Sequence, residues 1–218
     1  MKRNAIFRIT HPNILEHNTS FAEHTWKYWC NSHNCDLISN NAATYSEGVK
    51  LANTYTEKYS KIFIIDATAI VKWNCPNIFE LVDDRLVGWR DMGDLKSIYN
   101  RMQKQDLTRF INYGSIIINS KHKELINNLP VTDTIIDFEN VLNNALELVD
   151  VNLDITKDFN LNYMLKYDWL SHNWQDGDDK TPFFMKYAYI WRLDNLEKAM
   201  YNNLAQQLEA GLKEHYIL

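Results

Sequence analysis

With 218 residues, the chain has the length of one domain with a full core, or of one domain with a helical appendage. Hydrophobic residues make up 45% and aromatics 13%, which excludes general disorder. Lys and Arg number 23 against 28 Asp and Glu, a net charge of −5, so no global basic field favours double-stranded nucleic acid as a groove-bound partner.

The first residues, MKRNAIFRITHPN, lack the apolar core of a signal peptide. No apolar run approaches the ~20 residues that a membrane span needs, so no membrane association is expected. Cys30, Cys35 and Cys75 show no paired metal spacing and cannot all pair with one another. Reduced thiols in a cytoplasm are the simplest reading.

A first strand is expected over residues 5–10, broken by His11-Pro12-Asn13. Thr19 or Ser20 can cap a helix over 21–33, with Phe21, Thr25, Tyr28 and Trp29 on one side and Glu23 in the first turn, where a negative charge suits the helix dipole. A short second strand follows over 35–39. Ser46 can cap a second helix over 47–59. Then comes the stretch around which the rest is arranged, KIFIIDATAIVKWNCPNIFEL, from residue 61 to 81. Its run Ile62-Phe63-Ile64-Ile65 is short, β-branched and closed by a polar residue, the pattern of a strand buried on both faces. Asp66 ends it, and the carboxyl end of a central strand is where open α/β sheets bind ligands. The order strand-helix-strand-helix-strand predicts βαβ units and a largely parallel sheet. No Gly-x-Gly-x-x-Gly and no Gly-Lys-Ser/Thr loop is present, which disfavours a dinucleotide-type Rossmann domain or a P-loop enzyme.

Downstream, residues 85–88 read as a short strand, 91–103 as a helix and Ile116-Ile117-Ile118 as a second buried strand. Asp137 can cap a helix over 138–150, and Thr156 another over 157–167. Residues 185–193 read as a last strand. A C-terminal helix is expected over 195–214 with Leu196, Met200, Leu204 and Leu208 facing inward at i, i+4 steps.

The pattern strand-Asp-x-x-hydrophobic-x-Lys-Trp-x-x-Pro-Asn-Ile-Phe-Glu-Leu, starting at Asp66, resembles the metal and sugar-nucleotide loop of GT-A glycosyltransferases, most nearly the small family-8-like enzymes that include phage-carried ones. TWKYWCNSHNCDLIS resembles their Ser-Trp-x-x-Trp-Cys segment. Asn112-Tyr113-Gly114 resembles their Asn-Ala-Gly or Asn-Ser-Gly, and Asn119-Ser120-Lys121-His122 continues that match. Asp158-Phe159-Asn160-Leu161-Asn162 resembles their Asp-Gln-x-x-Leu-Asn, and Trp169-Leu170 through Trp174 their Trp-Leu-x-x-x-Trp. The match runs from about residue 6 to 174, and residues 175–218 form a variable part suited to an acceptor or a second copy.

The resemblance implies a single GT-A domain over 1–218, an αβα sandwich with a mostly parallel central sheet plus a C-terminal helix. It implies a glycosyltransferase using a nucleoside-diphosphate sugar, a UDP-sugar, with retention of configuration and with Mn²⁺ or Mg²⁺. Asp66, Ala67, Thr68, Thr10 and Gly114 would bind the donor, Asp66 and Thr68 the ion, and Asn112 and Asp158 the reacting sugar. The family's Asp-x-Asp is here Asp66-Ala67-Thr68, and its metal-binding histidine in Tyr-Ile-His is Trp191. The acceptor stays open among glycans, proteins and modified nucleic acid.

Plain structural roles stand beside each of these. Asp66 can cap a turn, and Thr68, a neutral hydroxyl, replaces a carboxylate poorly at a hard cation. Asp158 can serve a helix N-terminus. Asn112 can satisfy backbone at a strand end. Most of the seven tryptophans read as core, with Trp89 and Trp174 left as sugar-stacking candidates. His172 reads as structural or exposed, Lys72 as an exposed charge more than an aid to a diphosphate, and Asp176-Gly177-Asp178-Asp179 as a solvated turn. Two rival functions remain: a GT-A-like module that binds a nucleotide sugar without transferring it, and a nucleotidyltransferase. The latter would want a basic glycine-rich loop where Thr10-His11-Pro12-Asn13 stands.

Overall fold

The computed structural model describes residues 2–90, 111–133, 142, 151–152, 164–166, 189–193 and 196–217. The strands among them are β1 (Ala5–Thr10), β2 (Asp36–Asn41), β3 (Ile62–Asp66), β4 (Ile70–Val71), β5 (Leu86–Arg90), β6 (Ile111–Ile118), β7 (Val151–Asn152), β8 (Met164–Lys166) and β9 (Ile190–Arg192). The helices are α1 (Ser20–Ser32), α2 (Tyr45–Thr54), α3 (Ile78–Leu81), α4 (Lys123–Asn128) and α5 (Lys198–Leu212).

Six strands form the main sheet in the order β2-β1-β3-β6-β5-β7. β2, β1 and β3 are parallel neighbours, and β7 is parallel to β5. β6 alone runs against the others, antiparallel to β3 and to β5. The sheet is therefore mostly parallel, with the Ile116–Ile118 strand in the reversed direction. β3 sits between β1 and β6, and every residue of it is buried, which is why its sequence is continuously apolar rather than alternating.

The two faces of β3 feed two separate cores, because successive side chains point to opposite sides of a strand. Ile62 and Ile64 pack with Phe7, Ile9, Val49, Ala52 and Ile126, under α2 and α4. Phe63 and Ile65 pack with Trp26, Trp29, Val71 and Ile190, under α1. A second, small sheet, β4-β9-β8, lies on the α1 side. Its Ile70 and Trp191 join Tyr201, Ala205, Leu208 and Leu212 of α5 in a third core. This is an αβα arrangement closed at one flank by the C-terminal helix.

Local chemistry departs from expectation in four places. Thr44, not Ser46, caps α2, its Oγ1 accepting from Glu47 N at 3.2 Å. Ser46 is buried instead, and its hydroxyl bonds both backbone groups of Thr132. α2 stops at Thr54 and tightens into a 3₁₀ turn over Tyr55–Glu57. α5 buries Tyr201, Ala205, Leu208 and Leu212; of the expected stripe, Leu196 and Leu208 are buried and Leu204 packs beside them, while Met200 is 40% exposed and Tyr201 takes its place. Residues 164–166 form strand β8, where the end of a helix over 157–167 was expected, because they pair with β9. The expected helices over 91–103 and 138–150 lie outside the described residues, apart from helical Leu142.

α2 crosses β1 closely at Gly48. A Cβ there would lie 2.6 Å from Ile9 Cγ2. Helix propensity favours Gly48→Ala by about 1 kcal/mol, but overpacking a tight contact costs about 1–3 kcal/mol. The variant is expected to be less stable, seen as a lower denaturation midpoint at unchanged slope.

Asn119 and His122 form a reciprocal cap at the 3₁₀ turn over Ser120–His122. Asn119 Oδ1 accepts from Lys121 N at 2.9 Å, and His122 Nδ1 accepts from Asn119 N at 3.1 Å. Burial, with Lys121 adding, pushes the His122 imidazole down to about 4 from its ordinary 6.5. The folded state thus favours neutral His122, and its contribution is whole above about pH 6.5 and lost as pH falls towards 4. Denaturation midpoints measured from pH 7 to 4 should show this loss, and His122→Asn should flatten that part of the curve.

Candidate functional site

The site is built where β1 and β3 end side by side. Their parallel register sets Ile9 beside Asp66, so the residues leaving β1, Thr10 and His11, lie next to the loop leaving β3. The Asp66 loop turns at once. Asp66 Oδ1 accepts from Thr68 N at 2.8 Å and from Thr68 Oγ1 at 2.5 Å, and the Asp66 carbonyl accepts from Ala69 N at 3.1 Å. Ala67 N donates to the Ile9 carbonyl at 2.9 Å, extending the strand pairing by one step. The other carboxylate oxygen, Oδ2, accepts from His11 Nε2 at 3.0 Å. Asp66 is 3% exposed, Thr68 0% and His11 4%. A buried carboxylate is stable only with hydrogen bonds from inside the protein, and here they come from Thr68 and His11.

Helix α1 grips this loop from one side. Trp26 Nε1 donates to the Ala69 carbonyl at 2.9 Å, and Trp29 Nε1 to the Cys75 carbonyl at 2.9 Å. Thr25 Oγ1 accepts from Val71 N at 3.3 Å, and His33 Nε2 meets the Cys75 carbonyl at 3.1 Å. Residues 25, 29 and 33 recur at helical spacing, which puts these contacts along one face. From the C-terminal end, Tyr216 Oη donates to the Val71 carbonyl at 2.6 Å. The two buried tryptophans of α1 are thus core rings with a polar task, as buried indoles usually are.

Beneath the loop lies Arg8, 2% exposed. Its Nη2 donates to the Ala67 carbonyl at 2.8 Å, and its Nη1 donates to Ser39 Oγ at 3.2 Å and stands 3.3 Å from Glu23 Oε2. One guanidinium so joins β1, β2, α1 and the Asp66 loop. Burial lowers its pKa, with Glu23 opposing. The contact with Lys27, followed by Arg8, holds Glu23 below the usual carboxylate range. The Tyr201 phenol is pushed up by burial, with Asp66 adding, and its hydroxyl has no hydrogen-bond partner among the described residues.

The expected site residues fall as follows. Thr10 ends β1, its carbonyl accepting from Ala42 N at 3.0 Å. Asp66, Ala67 and Thr68 form the loop just described. Asn112 and Gly114 lie on β6, Asn112 opposite Trp89 beside a bulge at Gly88/Trp89. Ile65 pairs with Ser115 of the antiparallel β6, so the residues before Ser115 extend past the end of β3 on the Asp66 side. Asn112 and Gly114 are therefore at the same end of the sheet as Asp66. Asp158, His172, Trp174 and the run 176–179 lie outside the described residues. Trp191, at the position expected of a metal-binding histidine, is 0% exposed and pairs with Ile70. His11 was not singled out as a site residue. The signal was its position one residue past the strand that neighbours β3.

A divalent cation wants several open, hard oxygen ligands. Asp66 and Thr68 do not offer them: both are sealed, and the Thr68 hydroxyl donates to Asp66 rather than turning a lone pair outward. No group of three or more His, Cys, Asp or Glu among the described residues is placed to hold a metal ion. The residues present here do not fit a cation held by Asp66 and Thr68. No helix among the described residues is long and apolar enough to cross a membrane.

Thr68→Val keeps the volume of the side chain but removes the hydroxyl donor to a buried carboxylate. It should cost about 1–3 kcal/mol of stability, measured by chemical denaturation against Thr68→Ser, which keeps the donor.

No family model matches the sequence, and no curated protein matches it. Solved structures do. A glycosyltransferase involved in the glycosylation of the major capsid of PBCV-1 superposes with a TM-score of 0.59 at 11% identity, over 94% of this chain and 99% of that one. The WbbM bifunctional glycosyltransferase superposes with a TM-score of 0.53 at 11% identity, over 98% of this chain and 52% of that one, so this chain spans about half of WbbM. At such identities the likeness is one of fold, and the chain has the GT-A glycosyltransferase fold.

Proposed function

We propose that this chain transfers a sugar from a nucleoside-diphosphate sugar, a UDP-sugar, to an acceptor hydroxyl, with retention at the anomeric carbon. The observation that carries the reading is a coincidence of place. In a fold shared end to end with a capsid glycosyltransferase, the Asp66 loop and the β6 segment with Asn112 and Gly114 meet at the carboxyl end of the parallel strands, where sheets of this kind take ligands.

The chemistry required there is the stabilisation of charge. As the glycosidic bond breaks, negative charge grows on the leaving diphosphate and positive charge on the anomeric carbon. In this reading Asn112 and Asp158 face the sugar, and Gly114 lets the backbone approach the donor where a side chain would stand in the way. Thr10 and the Asp66–Thr68 turn frame the nucleotide. No general base is assigned, since retention does not require one from these residues. The neighbour that glycosylates a capsid makes a viral or surface protein a fitting acceptor class to test, beside glycans.

A second reading has its own support. Asp66 and Thr68 satisfy each other rather than a cation, as suits a fold that binds a nucleotide sugar without transferring it. The two readings separate on turnover. UDP-sugars incubated with the protein should release free UDP, and Asn112→Ala and Asp158→Ala should each lower kcat roughly 10- to 1,000-fold while leaving the melting temperature near that of the wild type. Binding of the donor without any release of UDP would favour the second reading.

A further inference from the structure

The end of the sheet away from the Asp66 loop carries a pair of thiols. β2 begins at Asp36, which pairs with Ala5 at the start of β1, whereas Asp66 pairs with Ile9 near its end. Just before β2 the chain leaves α1 through Asn34, whose φ of 51° is left-handed. The turn closes with Cys35 N donating to the Cys30 carbonyl at 3.0 Å. A helix that ends through a left-handed residue in this way brings together the side chains of the two residues so bonded, and here both are cysteines. We propose that Cys30 and Cys35 are a redox-active pair, closed to a disulfide within the folded protein by a small-molecule disulfide such as oxidised glutathione. The pair takes no part in the sugar transfer proposed above.

Reach, access and order of reaction all follow from the structure. The backbone bond keeps the two Cα atoms inside the ~7 Å beyond which a disulfide cannot bridge. The two thiols are free and in hydrogen-bonding contact with each other. Both line one cavity of about 550 Å³, together with Arg3, Lys27, Asp36 and Tyr59. Cys35 is 9% exposed and Cys30 3%, so a reagent in that cavity meets Cys35 first. The contact with Cys35, and then burial, push the Cys30 thiol up, so Cys30 keeps its proton until Cys35 has reacted. Cys75 is buried and is not among the walls of the cavity.

The exchange is a two-electron oxidation of the pair. The Cys35 thiolate attacks one sulfur of the small disulfide, whose S–S bond breaks. One half stays bonded to Cys35, and the other leaves as a thiolate and takes up the proton that Cys35 lost. Cys30 then gives up its proton and attacks the Cys35 sulfur. The Cys30–Cys35 bond forms, and the second half leaves as a thiol. Two protein thiols are oxidised, and one disulfide is reduced to two thiols. An excess of reduced glutathione runs the steps backwards. The closed bond fastens the last turns of α1, from which Trp29 and His33 hold the Cys75 carbonyl, to the start of β2.

The full chain is incubated with mixtures of oxidised and reduced glutathione, quenched in acid, unfolded and alkylated. In the oxidising mixtures two of the three thiols should escape alkylation, with the mass of two hydrogens lost. Peptide mapping should join Cys30 to Cys35 and find Cys75 alkylated. Reduced glutathione should restore all three thiols. Cys30→Ser should stop at one glutathione held on Cys35, and Cys35→Ser should keep both of its thiols. In urea below the unfolding midpoint, the wild-type rate should rise with a slope well under that of global unfolding, since only the end of α1 has to open.

Three alkylatable thiols in the wild type at the most oxidising mixture would overturn the proposal. So would a wild type that stops at a glutathione adduct, or one whose disulfide includes Cys75. A rate that follows urea with the full slope of global unfolding overturns it too, because the bond would then belong to the unfolded chain.

Discussion

A carboxylate at the end of a buried strand has to find its hydrogen bonds inside the protein, and the arrangement around Asp66 follows from that need. In water it would be solvated on all sides; at 3% exposure it is not. The turn through Thr68 supplies a backbone and a hydroxyl donor within two residues, and the neighbouring strand supplies His11. Each choice constrains the next. The tight turn to Thr68 sends the chain into β4, and β4 carries Ile70 and Val71 to the small sheet beneath α5. The path of the loop, and so the mouth of the site, is set by the satisfaction of one charged group.

That loop is held from below and from the side as well. Arg8 is a buried cation with its own hydrogen-bonding demand, and it meets that demand with the Ala67 carbonyl, Ser39 and Glu23. An ion pair between a buried guanidinium and the partly exposed Glu23 adds little net stability. Its value is in geometry: one planar fork fixes the relative positions of four elements. Trp26 and Trp29 act alike, filling the core with ring surface and fixing two carbonyls of the 66–77 segment with their indole nitrogens. A loop whose carbonyls are tied at Ala67, Ala69, Val71 and Cys75 is held in one shape by its neighbours.

Much of this frame is legible in the residues, for physical reasons. Ile62–Asp66 shows itself because a strand buried on both faces cannot alternate. The first strand, the first helix and the buried Ile116–Ile118 run show themselves through composition and period. Direction does not. Nothing in Ile116-Ile117-Ile118 says that it runs against β3, because the side-chain period is the same either way. Ser46 looks like the cap of α2 because its hydroxyl precedes a helical run, and only its contact with Thr132, far along the chain, shows that this hydroxyl is engaged elsewhere and that Thr44 is the cap. The stripe expected on α5 holds at Leu196, Leu204 and Leu208 and fails at Met200, because its neighbour Tyr201, also large, is the one that turns inward, its ring 4.9 Å from that of His17. The contact of His11 with Asp66 is hidden for a similar reason. A histidine after a strand is unremarkable until a second strand, more than fifty residues later, is known to end beside it.

The residue at position 68 settles how the site handles charge. A second carboxylate there, as close to Asp66 as the Thr68 hydroxyl is and equally buried, would set two like charges within hydrogen-bonding distance of each other. Such a pair must share a proton or bind a cation, since mutual repulsion forbids both from ionising unaided. A threonine reverses the sign of the interaction. Its hydroxyl gives a proton to the carboxylate instead of competing with it, the charge at Asp66 is satisfied from within, and the need for a cation at that point disappears.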